Sequence, residues 1–294
     1  MELRMKVLIT GCNGQVGNCL VEQLNHRVDL LAVDRDMLDI TDRAAVDRLV
    51  SEFLPDYIVN AAAHTSVDKA EQEVDLSFAI NRDGPKYLAE AAENVGAVML
   101  HISTDYVFDG KGSEPYNEYD LTDPQGIYGE SKLAGELAVA EACEQHIILR
   151  TAWVFGEYGH NFVKIMLRLG SGHGTLNIVD DQFGGPTYAG DIAKALITII
   201  EHIEAGKKTS WGCYHFSGMP YASWYQFACA IFDMAEKMTI FDQKPILMPI
   251  STSEYPTPAK RPANSRLNCK KIAQEFGIAP SDWQKALVNI QGYK

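Results

Sequence analysis

Apolar residues fall along this chain in two textures. Through the first half, short runs such as MKVLIT (Met5–Thr10), VDLLAVD (Val28–Asp34), PDYIVNAAA and AVMLHIST (Ala97–Thr104) are apolar almost without interruption. Between them QVGNCLVEQL, DRAAVDRLVSEF and SFAINRDGPKYLAEAAENVG carry apolar residues at helical spacing. A helix bearing Tyr128 and Lys132 follows the breakers in DPQG and leads to a fifth strand, HIILRTAWVFG. Strands apolar on both faces belong in a parallel sheet covered on each side. The alternation predicts α/β architecture, a Rossmann-type doubly wound parallel sheet.

Beyond about residue 155 the texture changes. Glycines crowd EYGHNFVKIMLRLGSGHG and prolines crowd YPTPAKRPANSRL, with GDIAKALITIIEHIEAG as the clearest helix. The expected organisation is a dinucleotide-binding domain over residues 1–155 and a smaller C-terminal α/β substrate-binding domain over 156–294, some of whose segments return to the first. Ligands of open α/β sheets bind at the carboxyl ends of the strands. A second unit placed there closes a cleft over them.

The first strand runs directly into TGCNGQVGN, where Gly11, Gly14 and Gly17 are spaced G-x-x-G-x-x-G before a helix. Glycines in this context permit a tight turn and a close approach to a pyrophosphate at the helix N-terminus. The backbone of Asn13, Gln15 and Val16 belongs to the same candidate site. Asp34 ends the second strand, 23 residues after Gly11, where a ribose-binding acid is expected. Arg35 follows it. An acid favours the free 2′-hydroxyl of NAD and an arginine accommodates the 2′-phosphate of NADP, so the choice between the two stays open. Asp39 and Ile40 are candidate adenine contacts; the competing reading is the start of the next helix, capped by Thr41 or Asp42. Ala61, Ala62, Ala63 and Thr65 follow the third strand, where small side chains allow either a cofactor or a packed helix to come close. His64 in the same loop reads as structural.

Tyr128 and Lys132 are four residues apart, hence on one face of a helix. A free tyrosine ionises near about pH 10, and an adjacent ammonium favours the phenolate. The expectation is that Lys132 lowers the proton affinity of Tyr128, making it a tuned proton donor.

Bulk properties narrow the field. The formal charge of −13 argues against a general nucleic-acid surface. No segment approaches the roughly 20 apolar residues that span a bilayer. The N-terminus lacks a signal-peptide pattern, so a cytoplasmic location is expected. Six scattered cysteines show neither Cys-x-x-Cys nor zinc spacing and read as free thiols. No metal is expected, and a monomer or homodimer is.

Together the glycine loop, Thr104 in STDYVFDG after the fourth strand and the Tyr128/Lys132 pair resemble the short-chain dehydrogenase/reductase superfamily, in its extended branch acting on nucleotide sugars. The phrases NAAAHTSVDKAE, STDYVFDG, RTAWVFG, DQFGGPTYAGDIA and KRPANSRL are similar, in that order, to its 4-keto-sugar reductases. The resemblance implies NADPH- or NADH-dependent reduction of the C4 ketone of a dTDP-linked 4-keto sugar, dTDP-4-dehydro-6-deoxy-L-mannose, to dTDP-L-rhamnose. It also implies that Tyr128 donates the proton, Thr104 hydrogen-bonds the same oxygen and Lys132 holds the nicotinamide ribose. Asp105 and Tyr106 beside Thr104, Trp153, Gln182 and Arg261 are the implied substrate contacts, with Pro186 and Thr187 near them. Lys260, Arg261 and Arg266 offer cations for the diphosphate. Competing readings are a nucleotide-sugar epimerase or dehydratase of the same fold, a non-catalytic regulatory subunit and a cofactor sensor. The last two fit less well, because both Tyr128 and Lys132 are present.

Overall fold

A computed structural model describes residues 4–172, 174–241 and 243–293. The first half alternates as its pattern predicts: β1 (Lys6–Thr10), α1 (Gln15–Leu24), β2 (Asp29–Val33), α2 (Arg43–Phe53), β3 (Tyr57–Asn60), the short α3 (Val67–Ala70) and α4 (Val74–Phe78), α5 (Gly84–Val95), β4 (Val98–Thr104), α6 (Ile127–Ala142) and β5 (His146–Thr151). There follow β6 (Val154–Phe155), α7 (Phe162–Gly170), β7 (Thr175–Val179), β8 (Phe183–Gly184), β9 (Thr187–Tyr188), α8 (Ala189–Glu204), β10 (Gly212–His215), β11 (Gly218–Met219), β12 (Ala222–Ser223), α9 (Trp224–Lys237), β13 (Ile246–Ile250), β14 (Asn264–Ser265), α10 (Lys270–Phe276), β15 (Ser281–Asp282) and α11 (Trp283–Ala286).

The main sheet is parallel, in the order β10-β5-β4-β3-β1-β2. Chain order reverses between β1 and β3, and the loops after these two strands carry Gly11 and Ala62. One face of the sheet packs on α1 and α8 through Ile9, Val59, Leu100 and Leu149. The other packs on α2, α5 and α6 through Leu8, Ile58, Met99 and Ile148. The strand pattern GCYH of β10 is too short to read in sequence, yet it extends the sheet beside β5.

Side chains two apart on a strand share a face. Two residues beyond Leu8, Ile58, Met99 and Ile148 stand Thr10, Asn60, His101 and Arg150, all buried and polar. The carboxyl edge of the sheet therefore carries a polar layer on the α6 side. Thr10 Oγ1 donates to Asn60 Oδ1 at 2.7 Å, and the Asn60 amide donates to His101 Nδ1 at 3.0 Å.

The long helix expected over SFAINRDGPKYLAEAAENVG is interrupted. Residues Ala79–Asp83 form a π turn between α4 and α5. Pro85 explains it: without an N–H it cannot donate to the carbonyl of Asn81, and its ring would collide with that carbonyl in a regular helix. The displaced Asn81 oxygen lies against α6 at Gly135, where an added Cβ would stand 1.9 Å from it. Gly135→Ala should therefore destabilise the protein by about 3 kcal/mol, since overpacking against backbone finds no flexible side chain to yield. Urea denaturation of the two proteins measures this.

Candidate active site

The glycine loop is shaped by contacts between backbones. Gly11 has φ +70, and a Cβ there would fall 2.6 Å from Ala62 N. A Cβ on Gly17 would fall 2.1 Å from Gly11 O, so α1 packs directly on the turn. Gly14 is the N-cap of α1 and no side chain caps this helix. Its first N–H groups and positive dipole end thus suit an anion such as a pyrophosphate. Val16 sends its side chain into the core, and Gln15 Oε1 accepts from Asn161 Nδ2 at 3.1 Å. Asn161 in turn caps α7, bonding Lys164 N. This ties the residues after β6 to the glycine loop.

Asp34 is engaged at both oxygens. One accepts from the N–H groups of Asp36 and Met37, the other from Asn13 Nδ2. Arg35 beside it is exposed. Asp39 accepts from the N–H and the hydroxyl of Thr41, which hold its carboxyl below the usual range. Asp42 caps α2 through Ala45 N. The side chain of Ile40 is buried against Gly84.

After β3, Ala61 and Ala62 are fixed by backbone bonds to Thr10 O and Asn60 Oδ1. His64 is structural: its ring meets Glu73 and Ser77, and its backbone is held at both N–H and C=O by the Asn81 side chain. Asn81 also donates to Ser131 Oγ, linking this loop to the helix of Tyr128 and Lys132. Sequence reasoning missed Asn81, whose place in the π turn depends on Pro85.

Tyr128 lies in the first turn of α6 with its ring edge-on to Tyr106, centroids 5.3 Å apart. Thr104 ends β4 and accepts from Tyr106 N. The expected acidification of Tyr128 by Lys132 is not what the geometry produces. Burial pushes the phenol above its ordinary value and the Asp105 and Tyr106 charges add to this, while the Thr104 hydroxyl pulls it down. Lys132 is committed elsewhere, donating from Nζ to Ile102 O at 2.6 Å. Burial brings its ammonium down to about 8, against the opposing charge of Glu136. A phenol that keeps its proton at neutral pH is the form that can donate one.

A cavity of about 600 Å³ opens beside this group. Thr65, Tyr106, Trp153, Gln182 and Arg261 line its polar and aromatic end, and Phe162, Ile165, Met166, Leu176 and Trp224 its apolar end. Trp153 stacks on Trp224 at 3.5 Å. Its backbone is left-handed at φ +49, and its ring lies where Gly184 has no Cβ to obstruct it. Ser265 lines the cavity too, and Asp105 is buried beside Thr104, its Oδ1 accepting from Thr104 Oγ1 at 3.0 Å. Both Asp105 Oδ2 and Ser265 Oγ are buried without a hydrogen-bond partner among the described residues, as is Arg261 Nη1. An unpaired buried hydroxyl and an unpaired guanidinium nitrogen on residues that line a cavity suit a ligand rich in hydroxyl and phosphate oxygens. Arg261 Nη2 pairs with Asp68 at 2.6 Å.

The other expected cations lie apart. Arg266 bonds Asn264 Oδ1 and Ser113 O, and Lys260 bonds Gln125. Thr187 is wholly buried, its hydroxyl linking Gly185 O to Gly218 N. Among the described residues no cluster of His, Cys, Asp and Glu is placed to hold a metal.

The RmlD substrate binding domain family matches residues 5–292. A dTDP-4-dehydrorhamnose reductase of Aggregatibacter actinomycetemcomitans is 51% identical over 290 residues, 98% of this chain and 99% of that protein. Another, from Sinorhizobium fredii, is 46% identical over 283 residues, 96% of this chain and 95% of that one. Among solved structures, the Bacillus anthracis dTDP-4-dehydrorhamnose reductase in complex with NADP has a TM-score of 0.90 and 38% identity, covering 98% of this chain and 99% of its own. The Clostridium acetobutylicum enzyme also scores 0.90, at 41% identity and 98% of both chains.

Burial pushes the Asp105 carboxyl up to about 6, against the pull of the hydrogen bond from the Thr104 hydroxyl. A carboxyl that holds its proton more tightly folded than unfolded contributes fully only below the ordinary carboxylate range. That contribution is lost as pH rises through about 6. Asp105→Asn should therefore be more stable than the parent by about 2 kcal/mol at pH 8, a gain that vanishes near pH 4. Denaturation at the two pH values measures it.

Proposed function

The chain belongs to the RmlD family, whose close relatives here are dTDP-4-dehydrorhamnose reductases, and we propose from that premise how its residues carry out the reaction. The protein is an NADP-dependent oxidoreductase of dTDP-rhamnose biosynthesis that reduces the C4 ketone of dTDP-4-dehydro-6-deoxy-L-mannose to dTDP-L-rhamnose. The observation that carries the residue assignment is the convergence of Thr104 and Tyr128 on Tyr106 at the carboxyl edge of the sheet, where Tyr106 also lines a cavity of about 600 Å³.

When bound, the nicotinamide supplies the hydride. The uncapped N-terminus of α1 and the backbone of Gly11, Asn13, Gly14, Gln15 and Val16 take the pyrophosphate. Asp34, Arg35, Asp39 and Ile40 flank the adenosine side. Ala61, Ala62, Ala63 and Thr65 let the cofactor lie flat against the sheet edge, and Lys132 holds the nicotinamide ribose. Charge that develops on the ketone oxygen meets two hydroxyls, Tyr128 giving its proton and Thr104 a hydrogen bond. Asp105 receives sugar hydroxyls, Arg261 a phosphate oxygen, and Trp153 covers the ring beside Tyr106 and Gln182. Asp34 is already engaged by the protein, and exposed Arg35 is placed to meet the 2′-phosphate of NADP.

We assign dinucleotide binding to residues 1–155 together with the returning α8 and β10, and substrate binding to most of the remainder. No helix among the described residues is long and apolar enough to cross a membrane, and we assign the protein to the cytoplasm as a monomer or homodimer.

Purified protein mixed with NADPH and enzymatically prepared 4-keto sugar should lose reduced-nicotinamide absorbance in proportion to sugar consumed. Tyr128→Phe should lower kcat by at least about 100-fold while NADPH affinity stays close to that of the parent. Sugar interconversion at constant absorbance would favour the epimerase reading instead.

A further inference from the structure

The short helix α3 touches three parts of the site at once. Thr65 and Val67 at its start, and Asp68 in its first turn, line the cavity. Asp68 reaches across to the loop between β13 and β14 and takes it at two points. Its Oδ1 accepts from Ala259 N at 3.1 Å, and its Oδ2 accepts from Arg261 Nη2 at 2.6 Å. Glu71, just past the end of α3, turns the other way, its Oε1 accepting from Ile127 N at 2.9 Å. Gly126, the N-cap of α6, has no side chain to offer there, and a Cβ on it would stand 2.6 Å from Glu71 Oε1. The helix that carries Tyr128 is thus capped from α3.

As an ion pair, Asp68 and Arg261 have little to give to stability. Their side chains are 40% and 23% exposed, and pairs so open to water contribute little. What the pair fixes is direction. The backbone around Arg261 is already set. Arg261 precedes Pro262, which favours extended geometry, and Pro262 packs on Gly110 where no Cβ intervenes. Ala259 is buried, its carbonyl accepting from the Thr257 hydroxyl. The guanidinium at the end of the side chain is a planar fork with more than one usable edge. Asp68, its one ion-pair partner among the described residues, holds Nη2. Nη1 is left buried and unpartnered among the described residues, on a side chain that lines the cavity.

We propose that Asp68 is the positioning residue of the substrate-binding arginine: by holding Nη2 of Arg261 it turns Nη1 toward the diphosphate of the sugar nucleotide, and through Glu71 the same helix keeps that nitrogen in register with Tyr128. The inference rests on the reading of Arg261 as the phosphate ligand. Charge alone argues for the opposite effect. A carboxylate beside a phosphate site repels the phosphate, so an Asp68 that acted only through its charge would weaken binding, and its removal would tighten it. Positioning and charge therefore predict opposite signs for one substitution.

Binding of dTDP, and of thymidine, which has the base and no phosphate, is measured by NMR titration of the full chain. The proteins compared are the parent, Asp68→Ala, Arg261→Met and the double variant, and NADPH affinity is measured for each. Arg261→Met should weaken dTDP binding at least about tenfold. Asp68→Ala should weaken it about tenfold, the size of one hydrogen bond to a charged group, with thymidine and NADPH bound as by the parent. In the Arg261→Met background, Asp68→Ala should bring no further loss. Unchanged or tighter dTDP binding by Asp68→Ala overturns the proposal. So does an equal loss for thymidine or NADPH, the mark of a disturbed fold, or a further tenfold loss in the double variant, the mark of an effect that bypasses Arg261. Unchanged dTDP binding by Arg261→Met overturns the reading of Arg261 as phosphate ligand, and the proposal with it.

Discussion

Burial of a phenol and an ammonium four residues apart on α6 is the constraint around which the rest of the site is arranged. Each group resists burial in its charged form, and they respond in opposite ways. Tyr128 answers by retaining its proton. Lys132 answers by losing affinity for its proton, with the Ile102 carbonyl accepting from its Nζ. The surrounding polar layer, Thr10 to Asn60 to His101 and Ser103 to Glu136 to Arg150, is what makes an edge of the hydrophobic sheet habitable for such groups. The layer follows from strand alternation: the positions facing α6 are apolar through the middle of each strand and turn polar at its carboxyl end.

Backbone packing supplies the second half of the arrangement. Gly11 against Ala62, Gly17 against Gly11 and Gly135 against Asn81 are contacts that no side chain could enter. The first two shape a groove at the switch point between β1 and β3, where open α/β sheets bind ligands. The third sets α6, and with it Tyr128, at a fixed height above that groove. The groove proposed for the cofactor and the phenol proposed as proton donor are thus positioned by the same kind of interaction.

Much of this was legible in the sequence because it is local. The glycine spacing, the buried strands β1 to β5 and the Tyr128/Lys132 interval are all patterns within a few turns of chain. What escaped depends on distant partners. The four residues of β10 gain meaning only beside β5. Asp191 sits inside the first turn of α8, where only the fold brings Ser281 to donate to it. Arg266 has the chemistry of a phosphate ligand, yet Asn264 and Ser113 claim it. Glu136 reads as one more helix glutamate until Arg150, 14 residues on, is brought under it. The raised proton affinity of Tyr128 escapes the pattern for the same reason: an interval on a helix gives proximity, whereas proton affinity depends on how much water the fold removes.

The bearing of that burial on catalysis is direct. Reduction needs a donor that still has its proton when the ketone oxygen begins to gather charge, and an enclosed phenol meets that need without a neighbouring cation to acidify it. Ultraviolet difference titration of the protein without nucleotide, parent minus Tyr128→Phe, isolates this one phenol. Its phenolate band should develop only above the ordinary tyrosine range near about pH 10. A band developing below that range would contradict the account, by showing that Lys132 rather than burial governs the proton on Tyr128.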